Sequence, residues 1–264
     1  MWYKIFVKQM LILLSPSKTS APTNLIKDNY TLPVFKSETS ELIRILQTKS
    51  IKEIQALMNI SDKLTDQTCK WIESLSLYNH SLHARCAIYN FKGEVYVALN
   101  AETMDEGDIS FAQNHLRILS GLYGVLKPMD LIQLYRLEMA TRLETESGKN
   151  LYQFWGDKIT LFLNNELETM GSNILINLAS EEYFKSVNLK LLRAFVISVD
   201  FYEIKQGKKA FVSFSAKKAR GLLAAYIIKN RILNFDGLLD FNEEGYVVDN
   251  FIQNKNGHIT FVKQ

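Results

Sequence analysis

Four places in this chain carry side chains able to hold or move charge on a phosphate. The pentapeptide Ser15-Pro16-Ser17-Lys18-Thr19 follows a short apolar run, so Lys18 stands at the C-terminal end of a strand, where ligands gather in α/β sheets. Ser15 and Lys18 have the Ser-x-x-Lys spacing of an activated serine, but that pairing needs a helical turn, and Pro16 sits badly in one. A phosphate contact is the expected role of Lys18. The turn Gly121-Leu122-Tyr123-Gly124, flanked by Arg117 and Lys127, offers backbone N–H groups to the same kind of ligand. In Tyr135-Arg136-Leu137-Glu138-Met139 a guanidinium lies beside a carboxylate. Glu138 is therefore a candidate for acid–base work, as are Glu181 and Glu182 at a strand-to-helix corner. Between Lys205 and Ile232 there are eight Lys or Arg residues and no acid, a local positive field of the sort that draws polyanions. On a helical wheel Lys217, Arg220 and Arg231 share a sector with Gly221 and Ala224, room for a bulky polyanion between cations.

Each feature also has a plain structural reading. Glu138 can pair with an arginine in the interior, and the basic helix can be a solvated surface face. The net charge of +3 is too small to decide between them, so the distribution matters more than the total. Cys69 and Cys86 form no CxxC, and with His80 and His83 they make no metal-ligand pattern. Neither a metal site nor a cofactor is expected, and direct iron sequestration has no dedicated ligand set behind it. No apolar run approaches the roughly 20 residues of a membrane span. The first residues are interrupted by Lys4, Lys8 and Gln9 and lack a cleavage site, so a cytoplasmic protein is expected.

The elements that must position these groups follow from periodicity and punctuation. Residues 10–14 read as a buried strand, residues 38–58 as helical, and Ser61 as the cap of a further helix. Residues 91–99 read as a strand after a glycine turn. A helix capped by Asp108 or Ser110 would run to Gly121, and Pro128 would open another, which makes residues 113–143 a helix-hairpin-helix-like unit. A helix over 151–170, a strand over 173–179 and a helix capped by Ser180 come next. A hairpin turning at Gln206-Gly207, a helix over 216–232 and a hairpin turning at Asn256-Gly257 complete the chain. The expected fold is α+β, a mixed sheet with surrounding helices, in one compact domain over 10–264. Residues 1–9 are expected to be an extension.

So laid out, the chain resembles the YaaA peroxide-stress protein family. The resemblance is carried by Ser15-Pro16-Ser17-Lys18-Thr19, Ser61-Asp62-Lys63-Leu64, Leu116 through Met139, Leu151-Tyr152-Gln153-Phe154-Trp155-Gly156-Asp157, Asn177 through Lys185, and Ala216-Lys217-Lys218-Ala219-Arg220-Gly221. It implies an intracellular protein of the hydrogen-peroxide response that limits iron-dependent damage to DNA. It also implies binding of duplex, bubbled or branched DNA through a basic cleft, in a fold containing a helix-hairpin-helix. The chain departs from the family pattern at Leu134 (usually Pro), Ser17 (commonly Ala) and Glu94 (usually Asp). Its glycine turn is also one residue longer than a standard Gly-apolar-Gly hairpin.

Two functions therefore stand. One is DNA binding largely without sequence specificity, with Lys18, Arg117, Lys127, Arg136, Lys217, Lys218 and Arg220 neutralising phosphates and Gly121 and Gly124 bringing backbone close. The other is an enzyme acting on a nucleotide or nucleic acid, the same cations holding a small phosphate-bearing ligand while a carboxylate works beside it.

Overall fold

The computed structural model describes residues 9–20, 29–76 and 84–263. Strand β1 (Leu11–Leu14) is buried along its whole length. A strand hidden on both faces must be apolar at every position, so it shows no alternation. Helices α1 (Lys36–Gln47), α2 (Ile51–Met58) and α3 (Asp62–Ser74) follow. The helical spacing over 38–58 is two helices, because Ser50 restarts the chain with a capping box to Glu53. Ser61 takes the N-cap position of α3 without a side-chain capping bond.

Strand β2 (Arg85–Cys86) leads into a one-turn helix, α4 (Ala87–Asn90), and then α5 (Glu94–Leu99). The strand expected over 91–99 is thus a helix. Val95 and Val97 mimic strand alternation, but Tyr96 and Leu99 are the buried pair while Val97 is exposed, a three-residue spacing.

The helix-hairpin-helix expected over 113–143 is not what forms. Helix α6 (Glu106–His115) is capped by Asp105, with Asp108 as its reciprocal partner rather than the cap itself, and it stops at His115. The chain continues as strand β3 (Leu116–Ser120), turns at 121–123, and returns as β4 (Gly124–Leu126), antiparallel to β3. Pro128 lies in the turn before β5 (Leu131–Ile132), where Asp130 accepts from the Lys127 amide at 2.8 Å. β3 is buried on both faces, so its run of leucines and isoleucine imitates a helical stripe.

Helices α7 (Leu151–Trp155) and α8 (Lys158–Thr169) are separated at Gly156, whose φ of 48° interrupts the single helix expected there. Then come β6 (Ile174–Asn177), α9 (Glu181–Phe184), β7 (Phe195–Lys205), β8 (Lys208–Ala210), α10 (Ser213–Lys229), α11 (Phe235–Leu239), β9 (Tyr246–Gln253) and β10 (Gly257–Lys263). The strands over 173–179 and 195–204, the basic helix and the final hairpin agree with the sequence reading.

The main sheet is mixed, in the order β4-β3-β1-β6-β7-β10-β9, with β8 on the overhanging end of β7. Strands β3, β1, β6, β7 and β10 are parallel, and β4, β8 and β9 are antiparallel. A separate two-stranded sheet joins β2 to β5. One hydrophobic core runs from β1 through β10, so the expected mixed sheet with surrounding helices in a compact domain is what the chain builds. The parallel strands discharge their C-terminal ends on one side, at Ser15, Gly121 and Leu178. There β7 continues past β6 from Val199 to Lys205.

Candidate functional site

Two of those strand ends are tied together by serines. Ser15 Oγ donates to Ser180 Oγ at 3.2 Å and accepts from the Ser180 amide at 2.8 Å. The Tyr96 hydroxyl donates to the Ser15 carbonyl at 2.8 Å, which fixes α5 above β1. Beyond Ser15 the chain turns on itself, with the Thr19 amide donating to Ser17 Oγ at 3.1 Å, and this turn leaves Lys18 exposed. Lys18 reaches Glu138, with Nζ 2.6 Å from Oε2, while Arg136 Nη2 lies 3.0 Å from Oε1 of the same carboxylate. A residue from the β1 loop and two from the segment after β5 thereby meet on one carboxylate.

Glu182 belongs to the same neighbourhood. Its side chain accepts from the Ala140 amide at 3.2 Å, and its carbonyl accepts from the Tyr152 hydroxyl at 2.9 Å. Glu181, its neighbour in α9, is exposed.

A layer of buried phenols lies under this polar surface. The Tyr135 hydroxyl is 2.7 Å from Ser120 Oγ, its ring packs edge-on against Tyr123 and Phe91, and Phe91 packs on Tyr96. Burial pushes the Tyr96, Tyr135 and Tyr183 phenols well above their ordinary range. At Tyr183 the nearby Tyr135, Glu182 and Glu138 push the same way. Neutral hydroxyls in a desolvated layer hold hydrogen bonds firmly and resist ionising. Tyr135 and Tyr183 sit inside the Tyr135–Met139 and Asn177–Lys185 motifs, the one sequence signal that points to them.

Several predicted site residues lie elsewhere. Arg117 is 2% exposed in β3. Its Nε donates to Glu166 Oε2 at 2.9 Å and its Nη1 to the Gln113 carbonyl at 2.9 Å. Lys127 meets the other oxygen of Glu166 at 3.2 Å. Arg117 therefore serves an interior ion pair rather than a ligand, and Lys127 is committed to the same carboxylate. Gly121 and Gly124 are also packing positions. A Cβ on Gly121 would stand 2.3 Å from the Leu137 carbonyl, and Gly124, at φ 69°, has the Trp155 and Phe35 rings against it. Trp155 Nε1 donates to the Gly121 carbonyl at 3.0 Å, closing the turn from inside. A buried turn cannot present its amides to a polymer, so Gly121 shapes the 136–138 segment and Gly124 makes room for the Trp155 and Phe35 rings instead.

Much of the basic stretch from 205 to 231 is neutralised by acids, most of them distant in sequence. Lys218 and Lys263 pair with Glu244, Lys209 with Asp249, Lys205 with Glu203 and Arg231 with Asp108. Arg220 is half-buried and faces Asp200; burial outweighs that attraction and lowers its pKa, and its Nε has no hydrogen-bond partner among the described residues. Asp200 also pairs with His258 at 3.1 Å. Lys217 is exposed and, among the described residues, enters no ion pair. The gap at Gly221 and Ala224 is filled by α5: a Cβ on Gly221 would stand 2.0 Å from the Val95 carbonyl. Small residues there let two helices meet, which overturns the reading of that sector as an open landing place for a polyanion. Through α5, whose Tyr96 holds Ser15, α10 joins the strand-end surface.

Among the described residues no three His, Cys, Asp or Glu side chains are grouped for a metal ion, and no helix is long and apolar enough to cross a membrane. His80 and His83 lie outside the described residues, as do residues 1–8. Cys86 is buried, and burial together with Glu73 and Asp66 pushes the Cys69 thiol up. Peroxide reacts with thiolate, so Cys69 is not tuned for that chemistry.

A mixed-sheet α/β protein with a charged site at the ends of its parallel strands, framed by helices from the middle and end of the chain, is the class defined here. The family model for the peroxide stress protein YaaA matches residues 10–251. The chain belongs to that family, and it is a peroxide stress protein by family.

Proposed function

We propose that this chain protects DNA during peroxide stress by binding it in the cytoplasm, on duplex or branched forms, through backbone phosphates and largely without reading sequence. The observation that carries the reading is the convergence of Lys18 and Arg136 on Glu138 at the strand ends. Lys217, exposed, extends the cationic surface along α10, and phosphate displaces Glu244 from Lys218 and Asp200 from Arg220 to recruit those two. Glu138 acts as the resident counter-ion, which phosphate displaces. If these five cations each neutralise one phosphate, log affinity falls with log salt at a slope of about −4.5. Lys217→Ala weakens all sequences alike and reduces the slope by about one. A salt-independent affinity, or no binding to any DNA form, would defeat the proposal.

A second reading rests on the same convergence. Glu138, held between two cations near the Ser15–Ser180 pair, is placed to act as an acid or base on a phosphate-bearing nucleotide. Glu138→Gln separates the two. A mere counter-ion, once removed, frees Lys18 and Arg136 and tightens DNA binding. A catalytic carboxylate, once removed, ends turnover of nucleotide.

A further inference from the structure

Arg85 is 4% exposed, yet its Nε and Nη1 have no hydrogen-bond partner among the described residues. Among the described residues no carboxylate pairs with it, and burial lowers its pKa. An unpaired buried guanidinium is costly, because its desolvation is offset neither by an anion nor by acceptors. Such a group calls for a specific explanation.

Its place in the fold supplies one. Arg85 pairs with Ile132 across the small β2–β5 sheet, and after β5 the chain continues through residues 133–135 to Arg136 and Glu138. On the other side, Arg85 leads through α4 to Asn90, which is fully buried. Asn90 Nδ2 donates to Ser20 Oγ at 3.4 Å, in the loop that carries Lys18, while its Oδ1 is unpartnered. Both strands of the small sheet thus connect to the strand-end site. Beside the two unpartnered groups of this segment, the other buried side-chain atoms without a partner among the described residues are the Nε atoms of Arg136 and Arg220. A buried guanidinium with two unused donors, Nε and Nη1, calls for an oxyanion with several acceptor oxygens, which a phosphate monoester supplies.

We infer that Arg85 is a buried anion-binding residue that takes the terminal phosphate of a phosphate monoester, as a ligand contact distinct from the surface cations that would track DNA. The inference does not rest on the DNA-binding proposal. The shared chemistry is the monoester, carried either by a free nucleotide or by a 5′-phosphorylated DNA end.

The test compares thermal stability of the full chain in chloride and in inorganic phosphate at equal ionic strength. It then measures binding of a nucleoside 5′-monophosphate and of one oligonucleotide with a 5′-phosphate or a 5′-hydroxyl. The wild type is expected to melt higher in phosphate and to prefer at least one phosphorylated probe over its hydroxyl counterpart. Preference for the nucleotide assigns a small ligand, and preference for the phosphorylated oligonucleotide assigns a DNA end. Arg85→Met keeps volume and removes the unpaired charge. It is expected to melt no lower than wild type in chloride, to lose the phosphate response, and to bind the monoester at least tenfold more weakly, with duplex affinity within twofold. Arg85→Lys covers a Met variant that fails to fold: tenfold weaker monoester binding supports the inference, and unchanged binding overturns it. A wild type indifferent to phosphate, or an Arg85→Met protein with an intact phosphate response, also overturns it.

Discussion

Removing Glu166 tests whether Arg117 belongs to the interior. Arg117 is 2% exposed, and its carboxylate partner simultaneously holds Lys127. Glu166→Gln keeps the shape of the side chain and removes its charge, leaving a buried guanidinium with neutral acceptors alone, the new amide oxygen and the backbone carbonyls. Breaking a buried pair from one side costs about 3–5 kcal/mol. At about 2.1 cal/mol/K per residue, a chain of 264 residues unfolds with an entropy of roughly 0.55 kcal/mol/K. The expected fall in Tm is therefore about 5–9 °C, read by calorimetry or circular dichroism.

The pH dependence adds a second signature. Burial pushes the Glu166 pKa up, but Arg117 and Lys127 together outweigh it and hold the group below its ordinary value. A depressed folded pKa contributes stability that is present above the unfolded value and is lost as pH falls through the folded one. The gap between wild type and Glu166→Gln should thus be full near neutrality and narrow below about pH 4.5. A loss under 1 kcal/mol, or a gap independent of pH down to the acid limb, would refute the reasoning. So would an unchanged melt combined with weakened DNA binding, because that outcome returns Arg117 to the surface.

Gly121→Ala drives a methyl into the Leu137 carbonyl and the neighbouring Glu138 backbone. It should cost about 1–3 kcal/mol and, by shifting residues 136–138, should weaken DNA binding as well as lower Tm. Gly221→Ala gains helix propensity of up to about 1 kcal/mol but meets the Val95 carbonyl, so α10 and α5 should part and the net effect on Tm should be negative. Burial pushes the Tyr123 phenol up to about 12, and Tyr96, Tyr135 and Tyr183 rise with it. Because the folded state holds these protons more tightly, their contribution is present below pH 10 and is lost as pH rises through the folded values. Absorbance near 295 nm should show some phenols titrating ordinarily and a set ionising only with unfolding; a single transition near pH 10 for all of them would contradict the buried layer.

How much was legible depends on how local the signal is. The β1 run, the Gln206-Gly207 and Asn256-Gly257 hairpins, the basic helix and the Ser180 corner are written in nearest neighbours, and they stand where the sequence put them. Errors arose where burial on both faces erased periodicity. β3 looked helical because the middle of a parallel sheet needs apolar residues at every step, and α5 looked like a strand because Val95 and Val97 happened to alternate. At the site, the chain order alone paired Arg136 with Glu138 and placed Lys18 after a strand, since both are matters of a few residues.

The sequence by itself determined the family motifs, the mixed composition of the fold and the identity of the cations. Only the tertiary structure decided which cations remain at the surface, because charge is neutralised by what lies nearby in space. Glu166 takes Arg117 and Lys127 inward, Glu244 and Asp249 quiet the basic stretch, and Arg85 is left buried without a partner among the described residues. The turn at Gly121–Gly124, which in sequence looked like a phosphate grip, became a wedge beneath Leu137, because a residue without a Cβ serves close backbone packing as readily as it serves a ligand.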